Sequence, residues 1–381
     1  MSPPLRKVLV IHTSGGIGDV LLSTGVVNAL HEAYGCQVDF LCQQRTAAAL
    51  QGNPQIGQRF EWPDRRPDSL ASLLRWSRLL RGQKYDAALI LWSNTQIAWL
   101  TWLAGIPIRV GQDSRLSYSF LYTHKVRVRS EHGDERSHWS DILLDYVRAL
   151  GASPGPAQVR LAIPAQAESR ARQLLADFPG QGPLLAFHPF KGPPVDLKRW
   201  PLAVFADWLR LIRGHFGARL VVTGSAAEKP FAERIIALAG PEDVLNLAGQ
   251  TDLTTLGALA RQVDAFICPD SGPMHVAAAA GSRVLGIYAM EEDFPHRWAP
   301  LTPLARVLRP QPTGCRPGCR KPSCPDFRCY RAVDPNQLLA ELGELLNEAA
   351  GGPRAEPGPS AGMHPPVDQN PEPTDGDAGS R

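Results

Sequence analysis

Short apolar runs that end in glycine-bearing turns and lead into helices recur along this chain, and this grammar most constrains its fold. Val8-Leu9-Val10-Ile11 has the β-branched, continuously apolar character of a strand buried on both faces. The turn Ser14-Gly15-Gly16-Ile17-Gly18-Asp19 follows, and then a helical spacing of apolar residues from about Val20 to Ala33. Val38–Leu41 and Asp86–Leu91 read as further strands, with a Leu- and Arg-rich helix before the second and a helix from about His138 to Leu150 after it. The second half repeats the pattern with different residues. Strands are expected at Leu184–His188, Arg219–Thr223, Val244–Leu247, Ala265–Cys268 and Val284–Ile287, and helices at Leu202–Phe216, after Gly224 to about Ala239, Leu253–Gln262 and Met274–Ala280. Alternating strand and helix implies an α/β chain with two doubly wound, Rossmann-like domains. Two such domains facing each other place a cleft at the carboxyl ends of both sheets.

Composition excludes several classes. In 381 residues, 44% are hydrophobic and 20% charged, which describes a globular protein with ample core. Forty basic against 37 acidic residues is not the balance of a general nucleic-acid binder, and no nucleic-acid partner is expected. Seven cysteines in so long a chain do not read as a secreted disulfide scaffold, and no apolar run reaches a membrane span. Met1-Ser2-Pro3-Pro4 leads directly into the first strand, so no signal peptide and a cytoplasmic location are expected. Residues 351–381 hold 6 Gly and 7 Pro with almost no large apolar side chain, and are expected to be a disordered tail. Without them the body has 38 basic and 32 acidic residues.

The glycine turn does not fit a dinucleotide fingerprint. Counting from Gly16, Leu21 occupies the third small position, and Cys42-Gln43-Gln44 stands where a ribose-gripping carboxylate belongs. Asp19 is then either a carboxylate favoured at a helix N-terminus or a group aimed into the cleft. Asp270-Ser271-Gly272-Pro273-Met274-His275 follows a strand, with Pro273 expected at the first helical position and Ser271 or Gly272 as cap. That is a phosphate site, or simply a well-capped helix. Lys198 in Lys198-Arg199-Trp200-Pro201 is a phosphate partner worth ~1.5–3 kcal/mol, or a solvated lysine. Gly224-Ser225-Ala226-Ala227-Glu228 has capping-box spacing, and Glu228 can equally accept two ribose hydroxyls.

Taken with Asn246-Leu247-Ala248-Gly249, these segments resemble the ADP-heptose:lipopolysaccharide heptosyltransferases of glycosyltransferase family 9, over about residues 7–348. The resemblance implies a GT-B fold and inverting transfer of heptose from ADP-heptose to the lipopolysaccharide core. Asp19 would be the general base. Lys198, Gly224, Glu228, Asp270, Ser271, Gly272, Pro273, Met274 and His275 would hold the donor. Arg65, Arg66 and Arg115 belong to a basic stretch that fits an anionic acceptor or the cytoplasmic face of the inner membrane, and otherwise reads as a solvated surface. Trp76, Trp92, Trp99 and Trp102 read as packing rather than as a sugar platform. Here His12 and Thr13 replace a basic residue usual before the Gly-Asp pair.

Domains are expected at 1–165 for the acceptor and 166–334 for the nucleotide sugar, with a Cys-rich loop at 314–330 and a helix at 335–350 that crosses back onto the first domain. No cofactor is expected. Cys315, Cys319, Cys324 and Cys329 are either free buried thiols or ligands of a structural zinc. The alternatives to heptose transfer are a GT-B transferase using another nucleotide sugar, and a non-catalytic sugar-nucleotide-binding protein in a membrane assembly.

Overall fold

The computed structural model describes residues 5–64, 69–92, 94–178, 180–192, 196–240, 244–310 and 319–350. The proposed tail, Arg65, Arg66 and Cys315 lie outside them. The first half runs β1 (Lys7–His12), α1 (Ile17–Leu22), α2 (Thr24–Tyr34), β2 (Gln37–Gln43), β3 (Ile56–Trp62), α3 (Leu70–Gly82) and β4 (Ala87–Trp92). It continues through α4 (Thr95–Leu103), β5 (Ile108–Gln112), β6 (His124–Val126) and α5 (Trp139–Arg148). The second runs α6 (Ala165–Ala176), β7 (Leu184–Phe187), α7 (Leu202–Phe216), β8 (Arg219–Val222), α8 (Lys229–Ala239) and β9 (Val244–Asn246). Then come α9 (Leu253–Gln262), β10 (Ala265–Pro269), α10 (Gly272–Ala279), β11 (Val284–Ile287), α11 (Pro295–Trp298), β12 (Ala305–Leu308) and α12 (Pro335–Ala350).

Both sheets are six-stranded with every pairing parallel, ordered β3-β2-β1-β4-β5-β6 and β12-β11-β10-β7-β8-β9. Each order reverses once, between β1 and β4 and between β7 and β10. A crevice opens there at the carboxyl ends, where ligands bind in this topology. This is the GT-B arrangement. The turns after β1, β7, β8 and β10 carry Asp19, the loop to Lys198, Gly224–Glu228 and Asp270–His275.

Several elements depart from the sequence-based expectation. The helix expected over 20–33 is two, jointed at Ser23. The Ser23 hydroxyl donates to the Val20 carbonyl (2.6 Å) and that of Thr24 to Leu21 (2.7 Å), the local side-chain bonds that bend helices. Strands β3, β6 and β12 lack the apolar signature because they are sheet edges and carry Arg59, Glu61, Lys125 and Arg306. The last helix, α12, does not return to the first domain. Its Leu338, Leu342 and Leu345 are buried with Phe205, Trp208, Phe327 and Tyr330 of the second domain, so its apolar stripe completes that core.

One apolar cluster runs through both domains, joining Val10, Val26 and Leu144 to Phe266, Met274 and Val276. The connecting segment is packed into it. A Cβ at Gly25 would meet Ala157 at 3.3 Å, and one at Gly257 would meet Leu161 at 2.6 Å. Across the cleft, α1 lies against α10 so closely that a Cβ at Gly18 would stand 2.8 Å from His275 Cδ2.

Candidate active site

On the first-domain side the chain leaves β1 and turns at Gly15, whose φ of +74° is open to glycine and whose Cβ position is filled by the Asp19 carboxylate at 2.6 Å. The Gly16 N–H donates to Asp19 Oδ2 at 2.7 Å. Asp19 therefore serves the helix start, and it also lines a cavity of about 720 Å³ between the domains. Both readings hold at once. Behind it His12 is fully buried, and neither ring nitrogen has a protein partner among the described residues. Burial lowers its pKa, with the nearby Asp19 charge opposing, so the ring is held neutral.

On the second-domain side α10 begins at the cleft. Gly272, not Pro273, is the first helical residue, and Ser271 caps it with extended backbone. The cap hydroxyl makes no hydrogen bond to the helix. Ser271 Oγ and His275 Nδ1 are both buried without a protein partner among the described residues. A helix capped for its own sake would use that hydroxyl, so the first turn of α10 holds a hydroxyl and an imidazole nitrogen that the helix does not spend on itself. Burial lowers the pKa of His275, against the charges of Asp270 and Asp19.

Two further turns line the second-domain crevice. A Cβ at Gly224 would meet the Phe190 ring at 3.0 Å. Glu228 Oε2 accepts from the Ser225 N–H (2.7 Å) and hydroxyl (2.8 Å), so the carboxylate is fixed in place, buried at the N-cap of α8. His188 beside it bonds Thr223 Oγ1 at 3.1 Å and is pushed down to about 4 by burial, the Glu228 charge opposing. Lys198 is exposed, on a turn pinned by Trp200, whose indole donates to the Pro189 carbonyl (2.8 Å) and stacks on Phe205.

Sequence reasoning missed the group beneath Asp270. Lys191, 4% exposed in its side chain, reaches Asp270 Oδ2 at 3.4 Å and forms a very short contact with Asp293, itself 1% exposed. Asp293 Oδ2 accepts from the Met290 N–H (3.0 Å), and Arg309 donates to its carbonyl. Burial raises the Asp293 pKa to about 6, with the Lys191 charge opposing. Burial works against the Lys191 charge, but its two carboxylates outweigh it and raise its pKa. Lys321, whose own N–H donates to Glu292 (2.8 Å), is lowered by burial and then by Lys191. No motif marked these residues. The only signal was a lysine after an apolar strand, His188-Pro189-Phe190-Lys191; Asp293 sits behind Glu291 and Glu292, where it reads as one of three surface carboxylates.

Of the acceptor residues, Arg115 lines the cavity but is bound by both Glu131 oxygens, at 2.6 and 3.3 Å. Other basic residues of that stretch are spent on structure: Arg109 bonds the Leu121 carbonyl (2.8 Å), and Arg129 bonds Asp141 and Asp145 (2.7 Å each). Trp92 is not core packing; it is 42% exposed and lines the cavity. Cys324 and Cys329 are buried beside Phe327 and Tyr330, and Cys319 packs at their edge. Among the described residues no three metal-ligating side chains come together.

The family model described as glycosyltransferase family 9 (heptosyltransferase) matches residues 73–326. The chain belongs to this family. The glycosyltransferase is 26% identical to lipopolysaccharide heptosyltransferase 2 of Salmonella typhimurium over 90% of this chain and 99% of that protein. It is also 26% identical to lipopolysaccharide heptosyltransferase 2 of Escherichia coli, over 89% and 98%. Its fold superposes on a family 9 glycosyl transferase from Veillonella parvula with a TM-score of 0.77 at 20% identity, over 91% of this chain and 99% of that one. On the E. coli ADP-heptose lps heptosyltransferase II the values are 0.72, 22%, 91% and 100%, and on E. coli heptosyltransferase WaaC with ADP 0.67, 18%, 89% and 100%.

Proposed function

We propose that this glycosyltransferase moves a heptose from ADP-heptose to the lipopolysaccharide core by direct displacement with inversion. The observation that carries the reading is the opposition of two ends. Asp19 fronts the interdomain cavity, and α10, packed against α1, offers Ser271 Oγ and His275 Nδ1, both without a protein partner among the described residues. The relatives named above support the donor and the acceptor class.

In the proposed step an acceptor hydroxyl oxygen bonds to the anomeric carbon as the bond from that carbon to the diphosphate oxygen breaks. ADP leaves with the bonding electron pair, and the hydroxyl proton passes to Asp19. A positioned base of this kind contributes typically ~10²–10⁴-fold. The departing diphosphate gains charge at its bridging oxygen, where the N-terminal dipole of α10 and Lys198 stabilise it. Gly224 lets the donor approach the backbone, and Glu228 holds the ribose hydroxyls. Asp270, Gly272, Pro273 and Met274 shape the sugar-diphosphate end. Arg65, Arg66 and Arg115 belong to the acceptor side.

The enzyme works at the cytoplasmic face of the inner membrane as a peripheral protein. Exposed Leu70 and Leu79 share α3 with exposed Arg75 and Arg78, a composition that suits an anionic lipid surface. Among the described residues no helix is long and apolar enough to cross a membrane.

Calorimetric titration with ADP, UDP, GDP and NAD tests the donor, and Asp19→Ala tests the base. Selective ADP binding, weakened in Lys198→Ala, is expected. Asp19→Ala should lower transfer at least 100-fold with ADP binding intact. Preference for UDP or GDP would overturn the donor, and retained turnover in Asp19→Ala would remove that residue as base.

A further inference from the structure

The walls of the cavity in front of Asp19 are built for a particular kind of surface. Trp92 and Trp139 from the first domain and Trp298 from the second form one aromatic run, with centroids 6.3 Å apart for the first pair and 5.4 Å for the second. Trp92 offers an exposed ring, whereas Trp139 is 8% exposed. Two donors on the same walls are unspent: Trp139 Nε1 and Arg297 Nη1 are buried with no protein partner among the described residues. Flat apolar faces beside unspent N–H groups match a sugar, whose C–H face stacks on a ring while its hydroxyls accept hydrogen bonds.

The charge on the walls narrows the choice. Glu131, Asp134, Glu135 and Glu292 line the cavity with Asp19, against Arg115 and Arg297 alone. Arg115 and Glu131 pair with each other, Asp134 pairs with Arg129 (3.2 Å), and Arg297 donates through its other nitrogen to the Asp134 carbonyl, which leaves Asp19, Glu135 and Glu292 facing Arg297. A phosphate group carries about −1.5 to −2 charges at neutral pH. In this semi-enclosed space it would face an excess of carboxylates at short range, where Coulomb repulsion is weakly screened.

We propose that the cavity binds an uncharged saccharide unit as the acceptor residue, stacked on Trp92, and discriminates against phosphate on that unit. This rests on the reading above that Asp19 faces the acceptor. The anionic groups of a core acceptor then lie outside the cavity, and the sugar that receives the transferred residue is a neutral one.

The test uses the full chain with ADP present and two probes. One is a deacylated core oligosaccharide bearing phosphate on its outermost heptose, and the other is the same oligosaccharide after dephosphorylation with hydrogen fluoride. Saturation-transfer NMR and tryptophan fluorescence report binding. The dephosphorylated probe should bind at least tenfold more tightly. Trp92→Ala should weaken that binding at least tenfold and Trp92→Phe restore most of it, with ADP affinity unchanged in both. In transfer assays Trp139→Phe, which keeps a ring and loses the N–H, should raise KM for the neutral acceptor more than it lowers kcat. Equal or tighter binding of the phosphorylated probe, or unchanged binding in Trp92→Ala, overturns the proposal. Preferential binding of the neutral probe without turnover of ADP-heptose supports this inference while refuting the donor assignment. Turnover with the phosphorylated acceptor alone refutes this inference and leaves heptose transfer standing.

Discussion

Replacing Lys191 by Met removes the cation that bridges Asp270 and Asp293 while keeping a side chain of similar length. Breaking a buried ion pair commonly costs about 3–5 kcal/mol because a charge is left unpaired. Here the cost is set by pH, because Asp293 has a native pKa near 6 and can take up a proton instead. That value lies above the ~3.9 of an unfolded aspartate, so the native state binds the proton more tightly and loses stability as pH rises from about 4 to 6. Below pH 6 both proteins hold a neutral Asp293, and the variant loses the pairing with the partly exposed Asp270. Above pH 6 the wild type ionises Asp293 against Lys191, while the variant keeps the proton at about 1.4 kcal/mol per pH unit. The destabilisation should therefore grow above pH 6, by roughly 1 kcal/mol for each further pH unit, relative to pH 5. Urea unfolding at pH 5, 6, 7 and 8 measures it, and Lys191→Met/Asp293→Asn should abolish the growth. A destabilisation that is the same at pH 5 and pH 8 would refute the reasoning.

Two further expectations concern other parts of the cleft. Gly18→Ala places a methyl group 2.8 Å from the His275 ring and must push α1 from α10, so kcat/KM should fall at least tenfold with a near-native circular dichroism spectrum. The neutral His188, depressed to about 4, stabilises the fold above the unfolded value of ~6.5 and loses that contribution as pH falls through 4. His188→Asn should therefore flatten the thermal stability profile between pH 6.5 and pH 4, measured by calorimetry.

How much of this was legible in the sequence depended on whether a residue's role is local. Strands buried on both faces, such as Val8–Ile11 and Val284–Ile287, declare themselves because every side chain must be apolar. Edge strands such as Ile56–Trp62 do not, since half their residues meet water. Asp19 and the Asp270–His275 turn were legible because a glycine turn and a helix start are written in consecutive residues. The Lys191–Asp293 pair was not, because its partners stand 102 positions apart and meet only once β7, β10 and β11 lie side by side. Trp139 and Trp298 were hidden for the same reason: their shared face exists only after the two sheets meet.

The close seat of Gly18 on His275 bears on how material passes through the enzyme. The helix that fronts the cavity proposed for the acceptor leans directly on the helix proposed to cradle the diphosphate, and the cavity borrows walls from both lobes. Parting the lobes would dismantle the chamber proposed for the acceptor and uncover the crevice proposed for the nucleotide in one movement. On that reading loading and unloading of the two substrates are geared together, and a displacement of α10 on ADP release would be felt at Asp19 through the His275 ring and the Gly272 backbone that lie against α1.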